Sequence, residues 1–425
     1  MIDTSQMGKT ARAFNIMAKP IGPICNLDCK YCYYLEKEAL YKNEGKWKMS
    51  SDLLERYIAE YIEAQPGDKV TFAWQGGEPT LLGVDYFREI VRLQEKYRGG
   101  KTIENALQTN GTLLNDGWAT FFKEHDFLLG VSIDGPEALH NHYRVDKNQG
   151  STFKQVMKGI ECLQRNEVRF NTLTCLNRVT AKKPVEIYRF LKGIGSDFMQ
   201  FIPIVERLPG SESKKWGLDY AAPDEGVGDS EQLPVTAWSV LPKDFGDFYV
   251  QVFDRWVKRD VGRIFVQLIE VVAAKWLGAP GGLCVHEAEC GSALAMEHNG
   301  DVYSCDHFVY PQYRLGNLKE KTLVQMVESD EQIAFGRAKK SALPQYCLEC
   351  EVRSICNGGC PKERFIHTPD GDPGLNYLCA GYRDFFNHTI PVMQELRSIY
   401  QQQLPINELM KRVKAKAIPN YKPRS

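Results

Sequence analysis

Long apolar runs are missing from this chain of 425 residues. None approaches the ~18–20 residues of a membrane span, and the N-terminus holds scattered polar residues where a secretory signal would need an apolar block. An excess of either charge is missing too: 53 Lys and Arg stand against 54 Asp and Glu, for a formal net charge of −1. That balance gives no general attraction to nucleic acid or to anionic membrane. Internal repeats and low-complexity tracts are also absent. These absences leave a cytoplasmic globular protein with neither nucleic acid nor membrane as partner. The composition agrees, since 43% hydrophobic and 25% charged residues can build a full core. The length allows two or three domains, or one large barrel with an appendage.

Cysteine is what the chain has in unusual supply. Thirteen are many for a reducing compartment, where disulfides are rare. Three fall in the run Cys25-Asn26-Leu27-Asp28-Cys29-Lys30-Tyr31-Cys32, eight lie between Cys284 and Cys379, and Cys162 and Cys175 stand alone in apolar-patterned segments as core thiols. Clustered cysteines in such a compartment indicate metal. Three close thiolates fill only three irons of a [4Fe–4S] cluster, so one iron stays open to a small molecule. The alternative is a zinc site that borrows a distant fourth ligand. The second group reads Cys284-x5-Cys290-x14-Cys305, then Cys347-x2-Cys350-x5-Cys356-x3-Cys360, then Cys379. Eight thiolates make two four-ligand sites, either closed clusters that move electrons or two structural zincs.

Between these groups the pattern predicts strands at Phe14–Ala18, Val70–Trp74, Ile103–Gln108, Phe127–Ile133, Arg169–Leu176 and Phe198–Val205. Helical patterns near 52–64, 85–98, 114–124, 152–165 and 184–193 separate them, with Ser50 or Ser51 as an N-cap before Leu53, Leu54, Tyr57 and Ile58. Alternation of this kind builds parallel βα units with the active site at the strand C-terminal ends. The cysteine loop follows the first strand, Gln75-Gly76-Gly77-Glu78-Pro79 the second and Gln108-Thr109-Asn110-Gly111 the third, while Ser132 to Pro136 closes the fourth. Six units are too few for an eight-stranded barrel, so the expected fold is α/β, an open partial (β/α)6 barrel. The expected divisions are a barrel over 12–242, a helical linker over 243–283, a cysteine-rich domain over 284–380 held by metal rather than by a core, and a C-terminal helix with a basic tail over 381–425. Residues 1–11 read as a loose leader, 207–235 as a functional lid, an insertion or a mobile loop, and the tail from Lys411 as a solvated, poorly ordered end.

The first cysteine run resembles the CxxxCxxC loop of radical S-adenosylmethionine (SAM) enzymes, and the second group resembles their twin-cluster SPASM extension. Cys25 to Tyr34, Trp74 to Pro79, Asn299 to Phe308 and Cys356 to Phe365 together resemble the anaerobic sulfatase-maturating enzymes. The resemblance implies oxygen-independent oxidation of a cysteine or serine in a sulfatase to Cα-formylglycine. It implies SAM and three [4Fe–4S] clusters as cofactors, a Cys-x-Pro-x-Arg type sulfatase segment as substrate, and a flavodoxin or ferredoxin as reductant. It assigns SAM to Tyr34, Gly76, Gly77, Glu78, Ser132, Arg144 and Val205. One auxiliary cluster falls to Cys284, Cys290, Cys305 and Cys360, the other to Cys347, Cys350, Cys356 and Cys379, although spacing alone groups 347–360 together. Asp306 becomes the base for the substrate thiol. An ordinary aspartate is a poor base for a thiol, so either burial raises its pKa or the substrate radical is more acidic than the thiol. His307 is a relay or a structural histidine. Two rivals remain: another SPASM peptide-modifying enzyme, such as a thioether-forming one, and a non-catalytic multi-cluster electron carrier or zinc protein. The first of these usually carries a precursor-binding module ahead of its barrel, where this chain has fewer than about fifteen residues before strand one.

Overall fold

The computed structural model describes residues 8–41, 45, 47–227 and 233–424. Six strands lie side by side in chain order and all run parallel: β1 (Asn15–Lys19), β2 (Lys69–Trp74), β3 (Thr102–Thr109), β4 (Leu128–Ser132), β5 (Phe170–Leu176) and β6 (Phe198–Pro203). Their outer face is covered by α1 (Ser51–Ala64), α2 (Val84–Tyr97), α3 (Asp116–Glu124), the short α4 (Glu137–Tyr143), α5 (Phe153–Arg165) and α6 (Pro184–Gly193). Ser50 caps α1 by accepting from Leu53 N–H, and Leu53, Leu54, Tyr57, Ile58 and Tyr61 turn one apolar stripe toward the sheet. In β2 the buried side chains are Val70, Phe72 and Trp74, the period-2 pattern of a strand packed on helices. The leader is less loose than its composition suggests. Residues 1–7 lie outside the described range, but Thr10 is buried and its N–H donates to Ala64 O at the end of α1 (2.9 Å).

The segment after β6 folds onto the barrel mouth. Leu208 N–H donates to Pro234 O and Thr236 N–H to Glu206 O, which closes its two ends together. It holds α7 (Ser211–Trp216), whose first turn is tied by Glu225. Trp216, Leu218 and Ala222 pack with Tyr310 and with Ala39 and Leu40. Beyond it, α8 (Pro242–Arg259), β7 (Phe265–Val266) and α9 (Gln267–Trp276) occupy most of the helical linker expected over 243–283. Gly262 turns the chain at φ +76°, and β7 pairs in parallel with β6.

The cysteine-rich region is not held by metal alone. Its first strands, β8 (Ala293–Glu297), β9 (Asp301–Tyr303) and β10 (Arg314–Asn317), extend the main sheet: β8 lies parallel to β1, with Lys19 opposite Glu297, and β9 and β10 follow antiparallel. β8 is buried on both faces, so Ala-Leu-Ala-Met-Glu shows no alternation to read. The ten-stranded sheet runs from β10 to β7 without closing. There follow α10 (Leu323–Val327), α11 (Asp330–Ser341), the single turns α12 (Gln345–Leu348) and α13 (Arg353–Cys356), and a small hairpin of β11 (Ile366–His367) and β12 (Pro373–Leu375). The long α14 (Cys379–Gln401) then packs along α8, and α15 (Asn407–Lys414) lies against both. The tail after Lys411 is docked rather than solvated. Val413 and Ile418 are buried, Tyr421 OH donates to Asp254 (2.7 Å), and Arg424 forks onto Asp384 through two 2.7 Å bonds.

Candidate functional site

The loop after β1 carries Cys25, Cys29 and Cys32, all partly exposed and close enough for charge on one to disfavour charge on another. Cys32 N–H donates to Cys29 O (2.9 Å), and Cys25 Sγ accepts from Leu27 N–H (3.3 Å) and lies 3.7 Å from Asn110 Nδ2. Burial pushes the free Cys25 thiol up to about 12 and Cys29 still higher. Such thiols lose their protons only to a strong Lewis acid.

The turn after β2 is built into this loop. Gly77 N–H donates to Gly22 O (2.8 Å) and Glu78 N–H to Ile24 O (2.9 Å), directly before Cys25. A Cβ on Gly77 would lie 2.0 Å from Ile24 O, and Gly76 sits at φ +133°. Only glycines let the two backbones approach so closely. Glu78 is fully buried, with its carboxylate accepting from Thr80 N–H (3.0 Å), Thr109 Oγ1 (2.7 Å) and Asn110 N–H (2.7 Å). Its oxygens are thus occupied in joining the turn to the end of β3, and Asn110 is held against Cys25 by that bond.

On the other side stands a buried set of polar groups. Ser132, at the end of β4, accepts from Gln108 Nε2 (3.0 Å). Arg144, just after α4, is 6% exposed. Its Nε is 3.0 Å from Asp134, whose carboxylate also accepts from Tyr31 OH, and Cys175 Sγ lies 3.5 Å from Nη2. Cys175 is therefore not a remote core thiol; it packs with Tyr31 and Ile204 behind the cysteine loop, whereas Cys162 contacts Asp116 on the helix layer. Val205 is buried in the main core just past β6.

Asp306 joins the two cysteine regions. It follows Cys305 and pairs with Lys19 of β1, and it accepts from Tyr33 OH (2.5 Å) of the cysteine loop. Lys19 is 1% exposed, 4.0 Å from Glu297, and its ammonium sits 3.5 Å over the Tyr34 ring. Tyr34 OH in turn donates to Glu297 (2.7 Å). Burial acts to raise the Asp306 pKa, but Lys19 and the Tyr33 hydrogen bond outweigh it and hold the carboxyl below its ordinary range. Of the two alternatives for this base, a pKa raised by burial is thereby overturned, and the more acidic substrate radical is left. His307 is pushed down to about 4 by burial and by Lys362, and Nδ1 lies 3.5 Å from Cys360 Sγ, so a neutral structural ring fits better than a relay. Pattern reading missed Lys19, Glu297 and the pairing of Lys362 with Glu206, because Lys19, Glu297 and Glu206 belong to no spaced motif. The sole signal for Lys19 is a lysine ending an otherwise apolar strand.

The eight later cysteines form two neighbourhoods. Charge on Cys305 is opposed by Cys360 and Cys284, and charge on Cys290 by Cys284. Cys347, Cys350, Cys356 and Cys379 line one small cavity. Cys356 and Cys360 are separated by only three residues yet belong to different groups, since Asn357, Gly358 and Gly359 all adopt positive φ and turn the chain between them. Among the described residues no three Cys, His, Asp or Glu side chains gather as tightly as a single ion requires. The donor sets fit iron–sulfur clusters: three thiols beside a glycine cradle in one place, four thiols in each of two others.

A family model described as the Radical SAM superfamily matches residues 20–191, and one described as an iron–sulfur cluster-binding domain, SPASM, matches residues 289–351. The serine-type anaerobic sulfatase-maturating enzyme of Bacteroides thetaiotaomicron is 44% identical over 405 residues, which is 95% of this chain and 96% of the relative. The cysteine-type enzyme of Clostridium novyi is 31% identical over 89% of this chain and 96% of its own length. A solved structure of native anSMEcpe with bound AdoMet and Kp18Cys peptide superposes with a TM-score of 0.77 at 28% identity, covering 90% of this chain and 99% of that one. The chain belongs to the anaerobic sulfatase-maturating enzymes, radical SAM proteins that carry an iron–sulfur SPASM domain.

Proposed function

We propose that this chain oxidises a cysteine or serine of a sulfatase segment to Cα-formylglycine at the junction between the barrel and the cysteine-rich region. The observation that carries the reading is Asp306, which stands beside Cys305 and is tied to the first cysteine loop by Tyr33 and Lys19. Cys25, Cys29 and Cys32 would hold the SAM-binding [4Fe–4S] cluster, with Gly76 and Gly77 offering backbone to the SAM amino group. When bound, SAM and that cluster supply the radical that removes a Cβ hydrogen from the target residue. Ser132 and Arg144 are the candidates for the SAM carboxylate, although Asp134 already shares Arg144. Cys284, Cys290, Cys305 and Cys360 would hold one auxiliary cluster, and Cys347, Cys350, Cys356 and Cys379 the other.

Asp306 accepts the proton of the target side chain as an ionised carboxylate. Its lowered pKa makes it too weak a base for a neutral thiol, so the proton leaves once radical formation has made the side chain more acidic. Lys19 favours the charged carboxylate. Tyr33 and the ring of His307, 6.0 Å apart and edge to face, limit water at that carboxylate. A cytoplasmic setting and a flavodoxin or ferredoxin reductant complete the reading; no helix among the described residues is long and apolar enough to cross a membrane.

The test is to incubate the reduced, iron-loaded protein with SAM and two peptides, one carrying Cys-x-Pro-x-Arg and one with Ser in place of Cys. Formylglycine in either product, read by mass and by aldehyde capture, is the expected result. SAM cleavage with both peptides unchanged would refute the reading and favour another peptide modification.

A further inference from the structure

Two buried cations of the cysteine-rich region have no carboxylate partner among the described residues. Lys339 of α11 is 1% exposed, and its ammonium donates to the carbonyls of Cys284 (2.5 Å), Val285 (2.9 Å) and Glu287 (2.6 Å). Arg364 is 7% exposed and donates through Nε to Gly358 O (3.0 Å), through Nη1 to Lys339 O (2.6 Å) and through Nη2 to Asn357 O (2.9 Å). It thereby clips the turn between Cys356 of one cysteine group and Cys360 of the other. A Cβ on Gly358 would lie 2.7 Å from its Nη2, so this glycine makes room for the guanidinium.

A buried cation without an anion is costly, and two side by side repel each other. The groups that favour charge here are cysteines: Cys290, Cys360 and Cys284 around Lys339, and Cys347, Cys360, Cys356 and Cys290 around Arg364. Carbonyl dipoles satisfy their hydrogen bonds but carry no net charge. Thiolates of a bound cluster do, and a cluster gains one more negative charge on reduction. A fixed cation nearby therefore favours the reduced form.

We propose that Lys339 and Arg364 are the built-in counter-charge of the two cysteine groups and set their reduction potentials, Lys339 acting on the Cys284 group and Arg364 on both. They are positioning residues for electron acceptance: the electron released when the target residue is oxidised enters a region whose reduced form they stabilise. The proposal rests on the reading that these eight cysteines hold two clusters. Iron content of the unsubstituted protein tests that reading first, since a chain loading only about four irons in all would sink it before any variant is made.

The experiment is a potentiometric titration of anaerobically reconstituted holoprotein, followed by electron paramagnetic resonance, on Lys339→Gln, Arg364→Gln, Lys339→Arg and Arg364→Lys. Lys339→Gln should weaken reduction of one of the three titrating components about tenfold, ~59 mV for a one-electron couple, and leave the other two within about threefold. Arg364→Gln should shift two components, those of the auxiliary groups, by about that factor and leave the third within about threefold. Lys339→Arg and Arg364→Lys keep the charge and should stay within about threefold of the parent. Where a Gln variant fails to retain iron, retention by its charge-keeping counterpart supports the proposal equally. Fully loaded Gln variants with unshifted potentials would overturn it. So would charge-keeping variants that shift or lose iron as much as the Gln variants, because Lys339 and Arg364 would then be mere hydrogen-bonding clips.

Discussion

Asp306 and Lys19 form the pair on which the proposed proton transfer turns, and each can be removed alone. Asp306→Asn is nearly isosteric but takes away both the charge and the capacity to accept a proton. General-base assistance is typically worth ~10²–10⁴-fold, so formylglycine per fully iron-loaded chain should fall by about that factor while SAM cleavage persists. A loss confined to stability or iron content, with turnover per loaded chain unchanged, would remove Asp306 from the catalytic residues. Lys19→Met leaves a buried carboxylate without its cation, a change that costs about 3–5 kcal/mol when a buried pair is broken. Thermal stability and product formation should both drop, and Lys19→Arg should recover most of each. A second residue-scale outcome concerns Glu270 on α9, whose carboxyl is pushed up to about 7 by burial alone. The folded protein holds this proton where the unfolded chain, near the ordinary carboxylate value, has released it. Stability is therefore lost as pH rises from about 4.5 to 7 and levels off above. Glu270→Gln removes that loss: it should raise stability by about 1–3 kcal/mol at pH 8 and much less at pH 5. Melting curves of the two proteins at both pH values decide it, and equal gains at both would show that Glu270 is not desolvated.

At the scale of elements, the strands and helices of the barrel were legible because period-2 and period-3.6 patterns alternate along the first half of the chain. What was not legible were elements that owe their form to distant partners. β8 is buried on both faces and borrows its register from β1, and α7 is a single short turn held by Glu225. The basic tail from Lys411 on carries six Lys and Arg and reads as solvent-loving, yet it docks because Asp254 and Asp384 on α8 and α14 await it. Asp254 is fully buried and accepts from Tyr421 OH, His388 Nε2 (2.7 Å) and the Arg424 N–H. Ending the chain after Ala417 strips two of these donors from a buried carboxylate, which costs about 1–3 kcal/mol per unsatisfied group. The truncated protein should melt several degrees lower and exchange α8 amide hydrogens faster, with SAM cleavage at low temperature preserved. An unchanged melting temperature would mean that the tail does not hold Asp254.

At the scale of the whole molecule, three thiol sites imply about twelve irons per reconstituted chain, roughly four at each. Replacing Cys25, Cys29 and Cys32 by Ala should remove about four irons and all SAM cleavage, leaving the other eight in place. Stoichiometric zinc, or SAM cleavage in the triple variant, would refute the assignment. How the chain distributes its thiols separates what sequence could decide from what folding decided. Cys25, Cys29 and Cys32 are local, and their spacing already placed a metal site, an open cluster or a zinc, after the first strand, which the resemblance resolved toward the cluster. The charge balance and lack of long apolar runs likewise needed no structure. The partner of Asp306 is a different matter. Lys19 lies 287 positions earlier in the chain and meets it only because β8 pairs with β1, and that contact, with the Tyr33 hydrogen bond, opposes the pKa rise that burial alone would give. The same holds for the turn from Cys356 to Cys360: three residues at positive φ send adjacent cysteines to opposite groups. Local spacing shows which residues can bind metal. Which charges face each other across the sheet is set by strand pairing between remote segments, because electrostatic energies depend on distance in space and burial, and neither is written in the order of residues.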